Sequence, residues 1–206
     1  MATTRETRAV DIVLETDRLI LRKFTTADLE HLVELDRDPE VTTFLTGGVA
    51  TPRKQVENEV LPRILAEYAR APGWGRWAAI EKSSGAFLGW FSLDPPKDER
   101  AGLELGYRLR KAAWGKGYAT EGSRALVDRA FSDPPVQRVF AETMAVNLAS
   151  RRVLEKAGLR YLRTFHPSWD DPIQGYEAGE VEYELRRADW ELAKSSTPIP
   201  ALDPRE

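Results

Sequence analysis

The spacing of apolar and polar positions changes period several times along the chain, and each change marks an element. Residues 16–24 set Leu19 and Leu21 on one face and Ile20 on the other, the two-residue period of a strand. Thr25, Thr26, Ala27 and Asp28 then supply cap chemistry for a helix reaching Leu35. Beyond Pro52, the positions Val56, Val60, Leu61, Ile64, Leu65 and Tyr68 recur at three- and four-residue spacing. Pro62 should kink or split that helix, and Ala71, Pro72 and Gly73 close it.

Strand-like runs follow at 76–82, 87–93 and 103–109, separated by a Ser83-Ser84-Gly85 turn and a proline-bearing loop, so an antiparallel meander is expected. A helix from Gly117 to about Phe131 ends at Asp133-Pro134-Pro135, and residues 138–144 read as another strand. Asn147 can cap the next helix and Gly158 can close it. Closing strands are expected at 159–165 and 181–185, around a loop holding Trp169 and Asp170. Residues 1–194 read as one domain and 195–206, poor in apolar side chains, as a mobile tail.

A chain of 206 residues can bury a substantial single core. Its 30 basic and 33 acidic residues are interspersed, so no arm or face announces nucleic acid as a partner. The absence of cysteine excludes a thiolate nucleophile, and the two distant histidines, His31 and His166, give no basis for a metal site. No apolar run approaches the roughly 18 to 20 residues that span a bilayer. The first residues lack the plan of a signal peptide, so no membrane partner and a cytoplasmic location are expected.

The chemistry gathers at residues 114–121, Trp-Gly-Lys-Gly-Tyr-Ala-Thr-Glu, between a strand and a helix. Two glycines let successive N–H groups curl toward an anion, and the helix behind them adds the positive end of its dipole. A phosphate cradle and a plain strand-to-helix turn both fit the spacing. The four-residue gap of a phosphate-loop NTPase and the third glycine of a dinucleotide fold are missing.

Two blocks extend the reading. Glu104-Leu105-Gly106-Tyr107 with the 114–121 loop, and Asn147-Leu148-Ala149-Ser150-Arg151-Arg152-Val153-Leu154 running on to Leu159, together resemble the GNAT superfamily of acyl-CoA-dependent N-acetyltransferases. The likeness covers about 14–188 and is nearest the branch named for ribosomal-protein N-terminal acetyltransferases. It implies an α/β (α+β) fold with a mixed, mostly antiparallel sheet of about six to seven strands flanked by helices. It also implies acetyl-CoA as cosubstrate, no metal, and a primary amine of a protein N-terminus or small molecule as acceptor. A homodimer is compatible with the branch.

Carried over residue by residue, the resemblance makes Tyr107, Arg108 and Leu109 backbone partners of the pantetheine arm, with the Leu109 N–H as oxyanion donor. Gly115, Lys116, Gly117, Tyr118, Ala119 and Thr120 cradle the pyrophosphate. Trp114 stands where the family usually has Gln or Arg and serves either as a cofactor contact or as a packing anchor. Asn147 and Ser150 face the cofactor, or cap their own helix, and Arg152 can approach the nucleotide phosphate. Glu142 and Glu104 are the candidate bases. Many members protonate the thiolate with a tyrosine seven residues after the asparagine, where this chain has Leu154, so a role for the Ser150 hydroxyl is expected instead. A noncatalytic CoA-binding module is the alternative that Leu154 favours. Trp74, Trp77, Trp90, Trp169 and Tyr176 are available to an acceptor cleft, whereas His31 reads as solvated.

Overall fold

The computed structural model describes residues 11–96 and 101–196. Eight strands form one sheet: β1 (Ile12–Glu15), β2 (Leu19–Lys23), β3 (Gly75–Glu81), β4 (Phe87–Asp94), β5 (Leu103–Leu109), β6 (Arg138–Met144), β7 (Arg160–Phe165) and β8 (Glu180–Arg186). Their order is β1-β2-β3-β4-β5-β6-β8-β7, and only the β5–β6 pair is parallel. The helices are α1 (Leu29–Arg37), α2 (Pro39–Thr46), α3 (Arg53–Gln55), α4 (Leu61–Arg70), α5 (Tyr118–Ser132), α6 (Leu148–Lys156) and α7 (Arg187–Ser195).

The sheet exceeds the expected six to seven strands because the short run Ile12–Glu15 adds a strand antiparallel to β2. Ser195 ends α7 rather than beginning a tail, and the remainder of the expected tail, from 197 on, lies outside the described residues. Pro62 splits its helical pattern in a specific way. With no N–H at that position the ladder shifts over Val56–Val60 into a π turn, in which Leu61 N–H donates to the Val56 carbonyl, and α4 resumes with Pro62 in its first turn.

Strand alternation divides the core between two faces. Leu19, Leu21, Trp77, Phe91, Leu105 and Val139 pack beneath α5 and α6, while Phe24, Ala78, Phe87 and Trp90 pack beneath α1 and α4. Asp28 anchors α1 to the sheet: it caps the turn by accepting from Thr25 N–H at 2.8 Å and takes a two-pronged pair from Arg22 at 2.7 and 2.8 Å. Burial alone would raise its carboxyl, but the Arg22 and Thr25 hydrogen bonds hold it below the usual range.

Candidate active site

The split that forms the site is a consequence of pairing. β4 and β5 stay in register as far as Gly89↔Leu109, whereas β5 and β6 pair only at Leu103↔Val139 and Glu104↔Phe140. Arg110 N–H donates to the Leu88 carbonyl at 2.8 Å, which makes Gly89/Leu109 a non-hydrogen-bonded pair. By alternation the N–H groups of Leu109 and Tyr107 therefore point toward β6, into the opening between the strands. Gly89 permits this close approach: at φ +138° it has no Cβ, and one added there would overlap the Arg108 carbonyl and Leu109 Cα.

On the α6 side of the split, Asn147 Oδ1 accepts from Ser150 N–H at 3.1 Å, the capping contact. The Ser150 hydroxyl lies 2.8 Å from the Tyr107 hydroxyl, which is also 3.1 Å from the Ser150 carbonyl. Burial pushes the Tyr107 phenol up to about 12, the Ser150 bond drawing it slightly back. Leu154 is fully buried in the core and leaves room for no polar group there. Tyr107, considered from sequence only for its backbone, thus brings a phenol to Ser150, one helical turn before Leu154. Nothing in the sequence pairs residues 43 apart.

The glycine loop follows β5 directly. Gly115 (φ +72°) and Gly117 (φ +85°) are left-handed, and the space around the Gly115 Cα is open. The first N–H groups of α5, on Tyr118, Ala119 and Thr120, have no intrahelical acceptor and face outward from the helix end. Trp114 is half exposed, and its indole N–H donates to the Leu109 carbonyl at 2.8 Å, tethering the loop to the end of β5. Lys116 is exposed, while the Tyr118 side chain turns inward to hydrogen-bond Glu81. Arg152 is exposed, and Arg151 is committed to Tyr183 Oη at 3.1 Å and the Ala145 carbonyl at 3.0 Å.

Sequence reasoning missed the strap beneath this loop. Arg18 donates to the Lys116 carbonyl at 2.9 Å and to Glu121 at 2.6 Å, and its guanidinium lies 4.5 Å from the centre of the Tyr118 ring. Glu121 also accepts from Thr16 at 2.6 Å; burial would raise it, but these bonds keep its carboxyl low. The β1–β2 turn is thereby fastened to the first turn of α5.

Carboxylates occupy the opposite face. Register puts Glu104, Phe140 and Glu142 on the α1 side, with Glu142 opposite Glu182 and Met144 opposite Glu180. Glu182 is buried and neutralised by Arg138 and by Arg163, the latter at 2.7 Å. Glu180 is half-buried, and burial, with the negative charge of Glu142, lifts its carboxyl above the usual range. The alternation Glu180-Val181-Glu182-Tyr183-Glu184 was the signal that could have found it. His166 is exposed beside Gly179, next to Glu180.

Of the five aromatics available to a cleft, Trp77 is buried on the α5 face, and Trp90 lies among charges on the α1 face. His31 is not solvated as expected: it is half-buried, stacked on Phe87 with ring centres 4.6 Å apart.

Residues 18–160 match the family model described as an acetyltransferase (GNAT) domain. The chain is 35% identical over 187 residues to an FsC-acetyl coenzyme A-N(2)-transacetylase of Aspergillus fumigatus, covering 86% of this chain and 77% of that one. It is 34% identical over 166 residues to the uncharacterized protein YkkB of Bacillus subtilis, covering 80% and 94%. In fold it resembles the ribosomal L7/L12 alpha-N-protein acetyltransferase RimL in complex with coenzyme A, with TM-score 0.71 at 15% identity over 85% of this chain and 98% of that one.

Proposed function

The chain belongs to the acetyltransferase (GNAT) family of N-acetyltransferases, which use acetyl-CoA, and we propose that it transfers the acetyl group directly to a primary amine in the split between β5 and β6. The observation that carries this reading is the split itself, with inward N–H groups on one wall, a phosphate-type loop at its end and carboxylates across it. The acceptor is an amine of a small molecule or a protein N-terminus. The Aspergillus relative, named as an acetyl coenzyme A N(2)-transacetylase, supports acetyl transfer to nitrogen.

The residues present fit the cosubstrate. Open space at Gly115 and the free N–H groups of Tyr118, Ala119 and Thr120 suit a pyrophosphate. Tyr107, Leu109 and Asn147 line the channel for the pantetheine arm, and Arg152 is exposed beyond it. When bound, acetyl-CoA supplies the acetyl group as a thioester.

The protein's part is positioning and proton management. Leu109 N–H is fixed in the opening and donates to the carbonyl oxygen that gathers negative charge. Glu180 and Glu142 hold the incoming ammonium and take its proton, a role suited to a carboxyl lifted above its ordinary range. On the far side the Tyr107 phenol, still protonated at every working pH, donates to Ser150, whose hydroxyl donates in turn to the departing sulfur. With no cysteine in the chain, direct transfer within a ternary complex is the economical route.

The test is calorimetric binding of acetyl-CoA followed by thiol release with a broad amine and peptide panel. Binding with turnover supports the reading. Binding without any turnover favours a CoA-binding module, and the absence of both binding and turnover refutes both readings.

A further inference from the structure

The face of the sheet beneath α1 carries a positive charge that the protein itself does not satisfy. Ala78↔Trp90 and Trp90↔Arg108 are direct cross-strand partners, so Arg76, two residues from Ala78, shares a face with Trp90 and Arg108. Both guanidinium groups flank the Trp90 ring, Arg76 at 4.0 Å and Arg108 at 5.3 Å from its centre. Arg108 is neutralised by Asp36 of α1, a carboxylate that also accepts from Thr51 at 3.1 Å. Among the described residues, Arg76 forms no such ion pair. Its Nε is sealed from solvent without an acceptor, as is the Nε of Arg108. Burial depresses the basicity of Arg76; Asp94, two residues from its cross-strand partner Ser92 on the same face, attracts it without forming an ion pair, Arg108 repels it and Glu67 attracts it more weakly.

A sealed Nε–H without an acceptor is costly, because its desolvation is not offset by a hydrogen bond. Stacking on Trp90 offsets part of that cost without consuming a single N–H. The terminal nitrogens, beyond the sealed Nε, keep their donors for an incoming acceptor. The row that holds Arg76 runs Arg76↔Ser92↔Gly106, and by the parallel register continues to the level of Glu142. Gly106 keeps that row low, since a Cβ there would meet Ser92 Oγ at 2.7 Å and the Trp90 ring at 3.5 Å. The same face thus carries an unmatched cation on β3 and, across the split, the carboxylates Glu142 and Glu180.

We propose that Arg76, backed by Trp90 and Arg108, binds a carboxylate of the acceptor while Glu142 and Glu180 receive its amine, so that the substrate class is an amine bearing a separate carboxylate. This deepens, and rests on, the acetyltransferase reading. Two paired strand spacings and the opened β5–β6 gap separate β3 from β6, more than about 14 Å. With both side chains reaching inward, the two groups of the acceptor are several bonds apart. An α-amino acid, whose amine and carboxylate share one carbon, is too short.

The experiment compares glycine, 4-aminobutanoate and 6-aminohexanoate with their primary amides, followed by CoA release. The wild-type protein should favour the longer carboxylates over their amides by about tenfold or more in kcat/KM, chiefly through KM. R76Q should bring the ratio close to one, and R76K should restore part of it, with acetyl-CoA affinity and melting temperature recorded to show that the variants fold. Amines acetylated with no preference for the carboxylate would overturn the proposal. If neither these amines nor the broad amine and peptide panel are acetylated, the acetyltransferase reading fails instead, and the anion site is read alone. Hexanoate, but not hexanamide, should then shift the arginine Nε–H resonance that R76Q removes, and an unmoved resonance would overturn it.

Discussion

The hydroxyl of Tyr107, on β5, lies 2.8 Å from the hydroxyl of Ser150, on α6, and so ties β5 to the helix that follows β6. The strand that offers its backbone N–H groups to the opening also offers a phenol to the helix on the other side. The phenol also donates to the Ser150 carbonyl at 3.1 Å, so the two residues are joined twice. On the proposed mechanism the pair serves the departing sulfur.

Y107F should therefore lower kcat by about tenfold to a hundredfold while leaving acetyl-CoA affinity near wild type. S150A should do the same, and the double variant should be little worse than either alone, because both remove one chain. Steady-state kinetics with calorimetry checks this; additive losses would separate the two residues.

The raised phenols also set an alkaline limit on stability. Burial pushes Tyr107 and Tyr68 up to about 12, against about 10 in an unfolded chain. A folded-state value above the unfolded one gives stability that is complete below the unfolded value and is lost as pH rises through the folded one. Melting temperature should fall between about pH 10 and 12. Y107F should flatten part of that fall.

Glu180 should show the opposite pull between stability and activity. Its carboxyl is lifted by burial and by Glu142, with Met144 of β6 and Phe165 of β7 as its cross-strand partners and His166 nearby. The stability that the protonated form contributes is lost once pH exceeds its folded value, so at neutral pH the ionised group is a burden. E180Q should raise the melting temperature at pH 7 while lowering kcat/KM and altering the acidic limb of the pH profile. Because the negative charge of Glu142 helps lift the Glu180 carboxyl, E142Q should also move that limb.

Asp28 tests the scaffold rather than the chemistry. D28N leaves Arg22 without its carboxylate at a buried site and should cost about 3 kcal/mol in urea unfolding. Because the Asp28 carboxyl is held low, its contribution is present above about pH 4 and lost as pH falls through the folded value. The difference between D28N and wild type should therefore shrink in acid.

The alternation of Leu19 with Leu21 and of Leu103 with Leu105 was enough to identify core strands, because those side chains answer only to local pleat and burial. Asn147 was legible as a cap for the same reason. The glycine loop and its helix were readable because left-handed backbone needs glycine. What stayed hidden depends on contacts distant in sequence. Arg18 meets Glu121 across 103 positions, and Tyr107 meets Ser150 across 43. The burial that lifts Glu180 and strands Arg76 exists only once β3, β6 and β8 lie in one sheet. His31 was misread because a polar residue on an amphipathic helix looks solvated until its neighbour, Phe87, is known.

Gly89 provides a test of how the opening is built. G89A would drive a Cβ into the Arg108 carbonyl and Leu109 Cα, in a backbone region that side chains avoid. It should either unfold the domain or shift Leu109, costing activity more than acetyl-CoA binding. Denaturation and kinetics on one preparation distinguish the two.

The most direct measurement of the central claim is a single-turnover experiment with excess protein, acetyl-CoA and an accepted amine. Free thiol and acetylated product are followed together by rapid quench and mass spectrometry. Direct transfer in the β5–β6 split predicts that thiol and product appear at the same rate, in equal amounts, and only when the amine is present. Thiol released before amine is added, with acetyl left on the protein, would contradict it.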